Sequence, residues 1–320
     1  MVPLDLLDNQ ILHQLDINSR QSYSSLAKKV RAKKHTVKYR VERLIENGII
    51  QGFYTVIDYS KLGFLSFRFY FKVSRLSPEK KAELILFLKN HKNISIFYRI
   101  TGHYDFSFSI WVRDVWDYEA FWGEFNAKFG RYLGDHHLAI KTSYTEFGRN
   151  YFCEQCDEKT QFTVSRKSQV ELLDKTDLKL LTLLSTNSRT SLVDLSNQIK
   201  TSIVTCRSRI KNLIKKRVIV GFRTMLDYGK LGYQYYKVDL WFADDTKKQE
   251  LTQRVLSHPN VIYTEKTVLT SDFEFDLEVR GFSDFIAIMD EFECQFPGSI
   301  GRYEYYTLVK NYKTNYLPSI

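Results

Sequence analysis

Between residues 28 and 43 the chain carries eight bases, Lys28, Lys29, Arg31, Lys33, Lys34, Lys38, Arg40 and Arg43, against one acid, Glu42. His35, Thr36 and Tyr39 are interleaved with them. Cations at this density can neutralise phosphates, and these side-chain types hydrogen-bond phosphate oxygens and base edges. A later stretch repeats the composition. No acid stands between Asp194 and Asp227, while Lys200, Arg207, Arg209, Lys211, Lys215, Lys216, Arg217 and Arg223 are basic.

Apolar spacing says what must hold these groups. Val37, Val41, Leu44 and Ile45 recur at i, i+4, i+7 and i+8, one side of a helix. At about 100° per residue, His35, Thr36, Tyr39 and Arg43 fall roughly opposite, flanked by Lys38 and Arg40. Leu26, Ala27 and Val30 mark a shorter preceding helix, and Arg31-Ala32-Lys33 leaves room only for a tight turn. Asn47-Gly48 closes the second helix, because Gly takes the left-handed cap without strain. Residues 49–57, β-branched and aromatic, read as a strand serving as a short wing. The sum is a winged helix-turn-helix, whose second helix reads double-stranded DNA. Lys33, Lys34, His35, Thr36, Lys38, Tyr39, Arg40 and Arg43 are the expected DNA contacts.

The chain contains this arrangement twice. Asn18-Ser19-Arg20 reappears as Asn187-Ser188-Arg189, Leu44-Ile45 as Leu213-Ile214, and Lys61-Leu62-Gly63 as Lys230-Leu231-Gly232, without a gap. The matching DNA contacts are Val204, Thr205, Arg207, Ser208, Arg209 and Asn212. Outward positions differ between copies, so unlike half-sites are expected. Each copy continues into a second pattern. In the first, strands are expected over 64–73, 94–100, 106–112 and 132–147, with helices over 77–90 and 116–129. That β-α-β-β-α-β order is a ferredoxin-like unit. The fold class is therefore α+β: two copies of a winged helix-turn-helix followed by a ferredoxin-like domain. Expected boundaries are 1–60, 61–151, a linker over 152–170, 171–229 and 230–320. Residues 152–169, polar and without periodicity, are expected to be a flexible connector.

Composition agrees. A net charge of +10 and a pI near 9.2 favour a polyanionic partner. No apolar run approaches the ~18 residues that would span a bilayer, so no membrane partner is expected. The first ten residues lack a signal-peptide pattern, and a cytoplasmic location is expected. The four cysteines form no disulfide framework; Cys153 and Cys156 read as a linker pair without a metal or redox role. No cofactor and no metal site are expected.

The paired winged helix-turn-helix and β-α-β-β-α-β units resemble the Lrp/AsnC (feast/famine) regulators. The Asn-Ser-Arg turn, the run from Arg40 to Ile50 and Gly102-His103-Tyr104-Asp105-Phe106 carry the resemblance. It implies sequence-specific DNA binding and transcription regulation, with no enzyme activity. It implies ferredoxin-like units that dimerise through their sheets, here as an intramolecular pseudo-dimer with further homo-oligomerisation. It also implies an amino-acid effector near Gly102, His103, Tyr104 and Asp105, with Asp272 the second-copy counterpart of Asp105. Family members usually have Gly in the helix-turn-helix turn; Arg31 and Lys200 stand there, so left-handed strain is expected. Two alternatives stay open. The siroheme decarboxylases resemble the same fold pair, with His91, His103, Tyr104, His136 and His137 as tetrapyrrole candidates. A ligand-sensing scaffold without DNA contact is the other.

Overall fold

The computed structural model describes residues 4–153, 159–165 and 169–319. Helix α1 (Leu6–Ile17) starts at a capping box in which the Asp5 carboxylate accepts from the Asp8 amide and Asp8 answers. Ser22 caps α2 (Tyr23–Lys29), and α3 (Lys34–Glu46) buries Val37, Val41 and Leu44. Ile45, expected on that face, is 42% exposed. The turn between α2 and α3 passes through Arg31 at φ 51°, and its counterpart Lys200 sits at φ 57°. Both L residues thus occupy the left-handed region that glycine takes freely.

Strand β1 (Ile50–Ile57) follows. Then come β2 (Leu65–Val73), α4 (Pro78–Asn90), β3 (Ile94–Thr101), β4 (Phe106–Val112), α5 (Val115–Phe129) and β5 (Leu133–Phe147). This is the expected βαββαβ unit. After β6 (Gln161–Ser165) the series restarts with α6 (Lys175–Thr186), α7 (Leu192–Ile199), α8 (Ile203–Lys215) and β7 (Ile219–Leu226). It closes with β8 (Gln234–Phe242), α9 (Lys248–Ser257), β9 (Val261–Val268), β10 (Phe273–Val279), α10 (Phe282–Gln295) and β11 (Ile300–Thr314).

The strands expected as wings join the copies instead. β1 and β7 pair antiparallel with each other, Tyr54 opposite Arg223 and Thr55 opposite Phe222. The Asn-Ser-Arg turns clasp across the same pseudo-twofold. Ser19 and Ser188 share a 2.7 Å hydroxyl contact, Arg20 reaches the carbonyls of Ser188 and Thr190, and Arg189 reaches those of Ser19 and Gln21. The Ser19 amide donates to Phe222 O and the Ser188 amide to Phe53 O, both at 2.9 Å.

The two ferredoxin-like sheets close into one eight-stranded ring, β2-β4-β3-β11-β8-β10-β9-β5, because β5 also pairs with β2. The 15-residue strands make this possible. β5 pairs β2 over 133–141 and β9 over 140–146. β11 pairs β8 over 300–307 and β3 over 307–314. Strand alternation then separates two chemistries. Phe67, Phe69, Phe71, Phe106 and Phe108 face outward and pack under α4 and α5 with Leu84, Phe121 and Phe125. Val238, Leu240, Phe275 and Leu277 do the same under α9 and α10 with Leu251, Phe285 and Phe292. The alternate residues point into the ring.

The expectation of a flexible connector fails over 161–165. Those residues pair with β5 as β6, and Phe162 and Val164 are buried against Tyr54, Val56 and Trp111. Apolar residues at alternate positions, too few to show a period, were enough to make a strand once β5 offered an edge. Lys159 is pinned as well, donating at 3.0 Å to Leu256 O and Val261 O and also to His258 O. Cys156 lies outside the described residues.

Candidate nucleic-acid interface and its support

Helix α3 presents His35, Lys38 and Tyr39 to solvent, Tyr39 at 63% exposure, with Thr36 half-buried beside them. Lys33 and Lys34 are exposed at its N-terminus. No side chain caps that end, so its first amides remain open. Helix α8 presents Val204 (74% exposed), Arg207, Ser208 and Asn212, with Thr205 half-buried. Ser202 caps α8 through the Thr205 amide at 3.0 Å.

Three expected DNA contacts are otherwise engaged. Arg40 lies 2.7 Å from Asp5 and 3.1 Å from Asp8, and Arg43 lies 2.5 Å from Asp8. In the second copy Arg209 lies 2.6 Å from Asp174 and 3.0 Å from Asp177. Wheel position placed these guanidiniums near the outer face. Their length lets them fold back onto the acidic first turn of the neighbouring helix, where the N-terminal dipole already holds carboxylates. They orient the recognition helix against α1 or α6. Asp5 and Asp174 are held below the usual carboxylate range, first by backbone hydrogen bonds and also by Arg40 and Arg209.

The expected effector turn is also partly structural. Gly102 sits at φ 130°, and a Cβ there would meet Tyr305 O at 2.8 Å. The Asp105 carboxylate accepts from the Val73 amide at 2.9 Å, and Asp272 accepts from the Phe242 amide at 3.0 Å. Both aspartates therefore tie a hairpin to the end of the neighbouring strand. Tyr104 clusters with Tyr70 and Tyr306, at centroid distances of 5.6 and 6.0 Å, and those two rings lie 5.4 Å from each other. His103 is exposed, 3.7 Å from Asp135. His91 packs on Phe121, and His136 on Phe69, outside the ring. His137 lies next to His136 on β5.

Below the recognition domains a buried ionic knot joins the β1–β7 sheet to the ring. Arg223 reaches Asp16 at 2.6 Å, Glu146 at 3.0 Å and Phe147 O at 2.8 Å. Arg149 bridges Asp16 at 2.9 Å and Glu278 at 2.8 Å. Burial works against these charges. The facing carboxylates outweigh it and hold both guanidiniums protonated, Glu278 foremost for Arg149 and Asp16 for Arg223. The group leaves no local signal in the sequence, since its members lie up to 262 positions apart, from Asp16 to Glu278.

A model of the AsnC-type helix-turn-helix domain matches residues 4–45 and again 173–214. An uncharacterised HTH-type transcriptional regulator of Pyrococcus abyssi is 31% identical over 147 residues, 46% of this chain and 91% of the relative. The chain belongs to the Lrp/AsnC family, as two copies in one polypeptide. An HTH-type transcriptional regulator of Methanocaldococcus jannaschii is 36% identical over 105 residues, 32% of this chain and 68% of its own length. This Lrp/AsnC chain is a DNA-binding transcription regulator. Across its whole length it is also similar in fold to the siroheme decarboxylase NirDL, with TM-score 0.67, 12% identity, and 98% and 94% of the two chains covered. At that identity the likeness is one of fold alone. No helix among the described residues is long and apolar enough to cross a membrane.

Proposed function

We propose that this Lrp/AsnC chain reads duplex DNA as an intramolecular pseudo-dimer, presenting α3 and α8 as two non-identical reading helices. The observation that carries this is the pairing of β1 with β7, reinforced by the reciprocal Ser19–Ser188 and arginine clasps. A homodimer of single-copy units obtains two reading helices by association. Here one chain supplies both, so their relative placement does not depend on concentration. Lys33, Lys34, Lys38 and Arg207 serve phosphates, while His35, Thr36, Tyr39, Val204, Thr205, Ser208 and Asn212 face the bases. Arg40, Arg43 and Arg209 position the helices from behind. A regulator of this form needs no catalytic group, and we read the decarboxylase likeness as shared architecture. An amino-acid effector at the turn has His103 and Tyr104 as its open side chains; Asp105 and Asp272 are taken up by backbone amides.

The test is selection of bound sites from random duplex DNA, followed by a salt titration. Two unlike half-sites are expected. The slope of log affinity against log salt should fall by about 0.9 for each phosphate-contacting lysine removed, tested with Lys34→Ala. Recovery of a perfect palindrome, or binding insensitive to salt, would sink the reading.

A further inference from the structure

The ring encloses a cavity of about 920 Å³, at the upper end of the 300–1,000 Å³ range of small-molecule sites. Its wall is unusual for a barrel core. Tyr70, Tyr98, Tyr144, Tyr235, Tyr263 and Tyr306 line it together with charged side chains. The cations are committed. Arg68 pairs with Glu265 and lies 3.3 Å from Glu274, Lys141 lies 2.5 Å from Glu265, and Lys237 lies 2.6 Å from Glu274.

Two carboxylates are left over. Asp276 on β10 is flanked in register by Lys237 and Tyr263. Its Oδ2 accepts from the Tyr235 hydroxyl, but its buried Oδ1 has no hydrogen-bond partner, and the nearest ammonium, Lys237, is 3.7 Å away. Asp239 Oδ1 is buried and equally unpartnered, 3.6 Å from Lys237. Only 4% of the Asp276 side chain is exposed. A buried carboxylate oxygen without a donor costs free energy that a donor would recover. Arg223 Nε is also unpartnered, but its guanidinium already meets two carboxylates and a carbonyl.

We propose that this cavity binds a small organic cation, its ammonium group held by Asp276 Oδ1 and its body lying against Tyr98, Tyr235 and Tyr263. The chemistry selects the class. Tyrosine faces attract cations, and the unmatched charge is negative. An anion would find each of Arg68, Lys141 and Lys237 already neutralised. Burial pushes both spare carboxyls upward, Asp239 to about 7. The cavity wall extends to Tyr54, Thr224 and Met225 on the β1–β7 sheet, so an occupant would touch the strands that join the two DNA-reading halves. The inference does not rest on DNA binding and is tested without DNA.

Isothermal titration of the full chain with tyramine, agmatine and putrescine tests it, with 3-(4-hydroxyphenyl)propanoate as the anionic counterpart of tyramine. Saturable binding of at least one amine at one per chain is expected, with the propanoate at least tenfold weaker. Asp276→Asn should weaken the amine tenfold or more. The amine–propanoate comparison uses the unaltered protein and decides the matter even if the variant does not fold. No saturable amine binding, propanoate binding as tight as tyramine, or a folded Asp276→Asn that binds as before would overturn the proposal.

Discussion

Replacing Arg223 with Met tests whether the ionic knot holds the recognition domains to the ring. Arg223 is 3% exposed and makes three bonds of 2.6 to 3.0 Å. Removing one partner of a buried ion pair costs about 3–5 kcal/mol, because the other charge stays buried. Here the abandoned groups keep partial company. Asp16 retains Arg149 at 2.9 Å, and Glu146 retains the Tyr54 hydroxyl at 2.8 Å. The low end, about 3 kcal/mol, is therefore expected. That is a large share of a typical stability of about 5–15 kcal/mol. With a urea slope on the order of 3 kcal/mol/M, the midpoint should fall by about 1 M. Urea denaturation followed by circular dichroism measures this. Asp16→Asn combined with Arg223→Met should cost less than the two changes summed, since each exposes the same uncompensated charge. Strict additivity, or a midpoint shift below about 0.3 M, would refute the reasoning.

Arg31→Gly and Lys200→Gly should each stabilise by about 1 kcal/mol by relieving left-handed strain, read as a higher melting temperature; a lower one would contradict the turn geometry. Asp105→Ala should lower stability by about 1–2 kcal/mol, the cost of leaving the Val73 amide unpaired, with or without any amino acid present. Tyr39→Ala and Val204→Ala should each relax specificity in one half-site only, measured against every single-base variant of the selected site; loss in both halves would remove the asymmetric reading. Stability should also decline with pH in a definite window. Burial lifts Asp239 from 3.8 to about 7, so between those values the folded chain holds a proton that the unfolded chain has released. The stability this contributes is full below about pH 4 and lost as pH rises through about 7. Asp239→Asn should flatten that decline in urea midpoints taken from pH 4 to 8.

Much of the molecule was legible in the chain because its signals are local. Helical spacing at Val37, Val41 and Leu44, capping at Ser22, and the β-α-β-β-α-β series each depend on a few neighbouring residues. The internal repeat revealed two copies without any spatial information. The left-handed turns at Arg31 and Lys200 are legible because the family usually has Gly at those positions. Partners distant in sequence were not legible. A wheel projection places Arg43 but cannot show that Asp8 is within reach of it. A strand-like segment at 50–57 does not announce whether it turns back on itself or crosses to residues 219–226. The Phe162 and Val164 pair became a strand only because β5 left an edge beside it.

The alternation Glu274-Phe275-Asp276-Leu277-Glu278 shows where the division falls. By itself the sequence determined that one face of this strand is apolar and the other acidic, since side chains alternate with a period of two. That pattern ordinarily means one face in the core and one in water. Only the closure of two sheets into a ring, made possible by 15-residue strands long enough to serve both, turned the acidic face inward. Burial among cations then gave Glu274 and Glu278 their ion pairs, and it gave Asp276 a raised proton affinity and an unsatisfied oxygen. The physical reason is that a residue's own type fixes its preference for water, while its dielectric surroundings and charged neighbours are properties of the assembled fold.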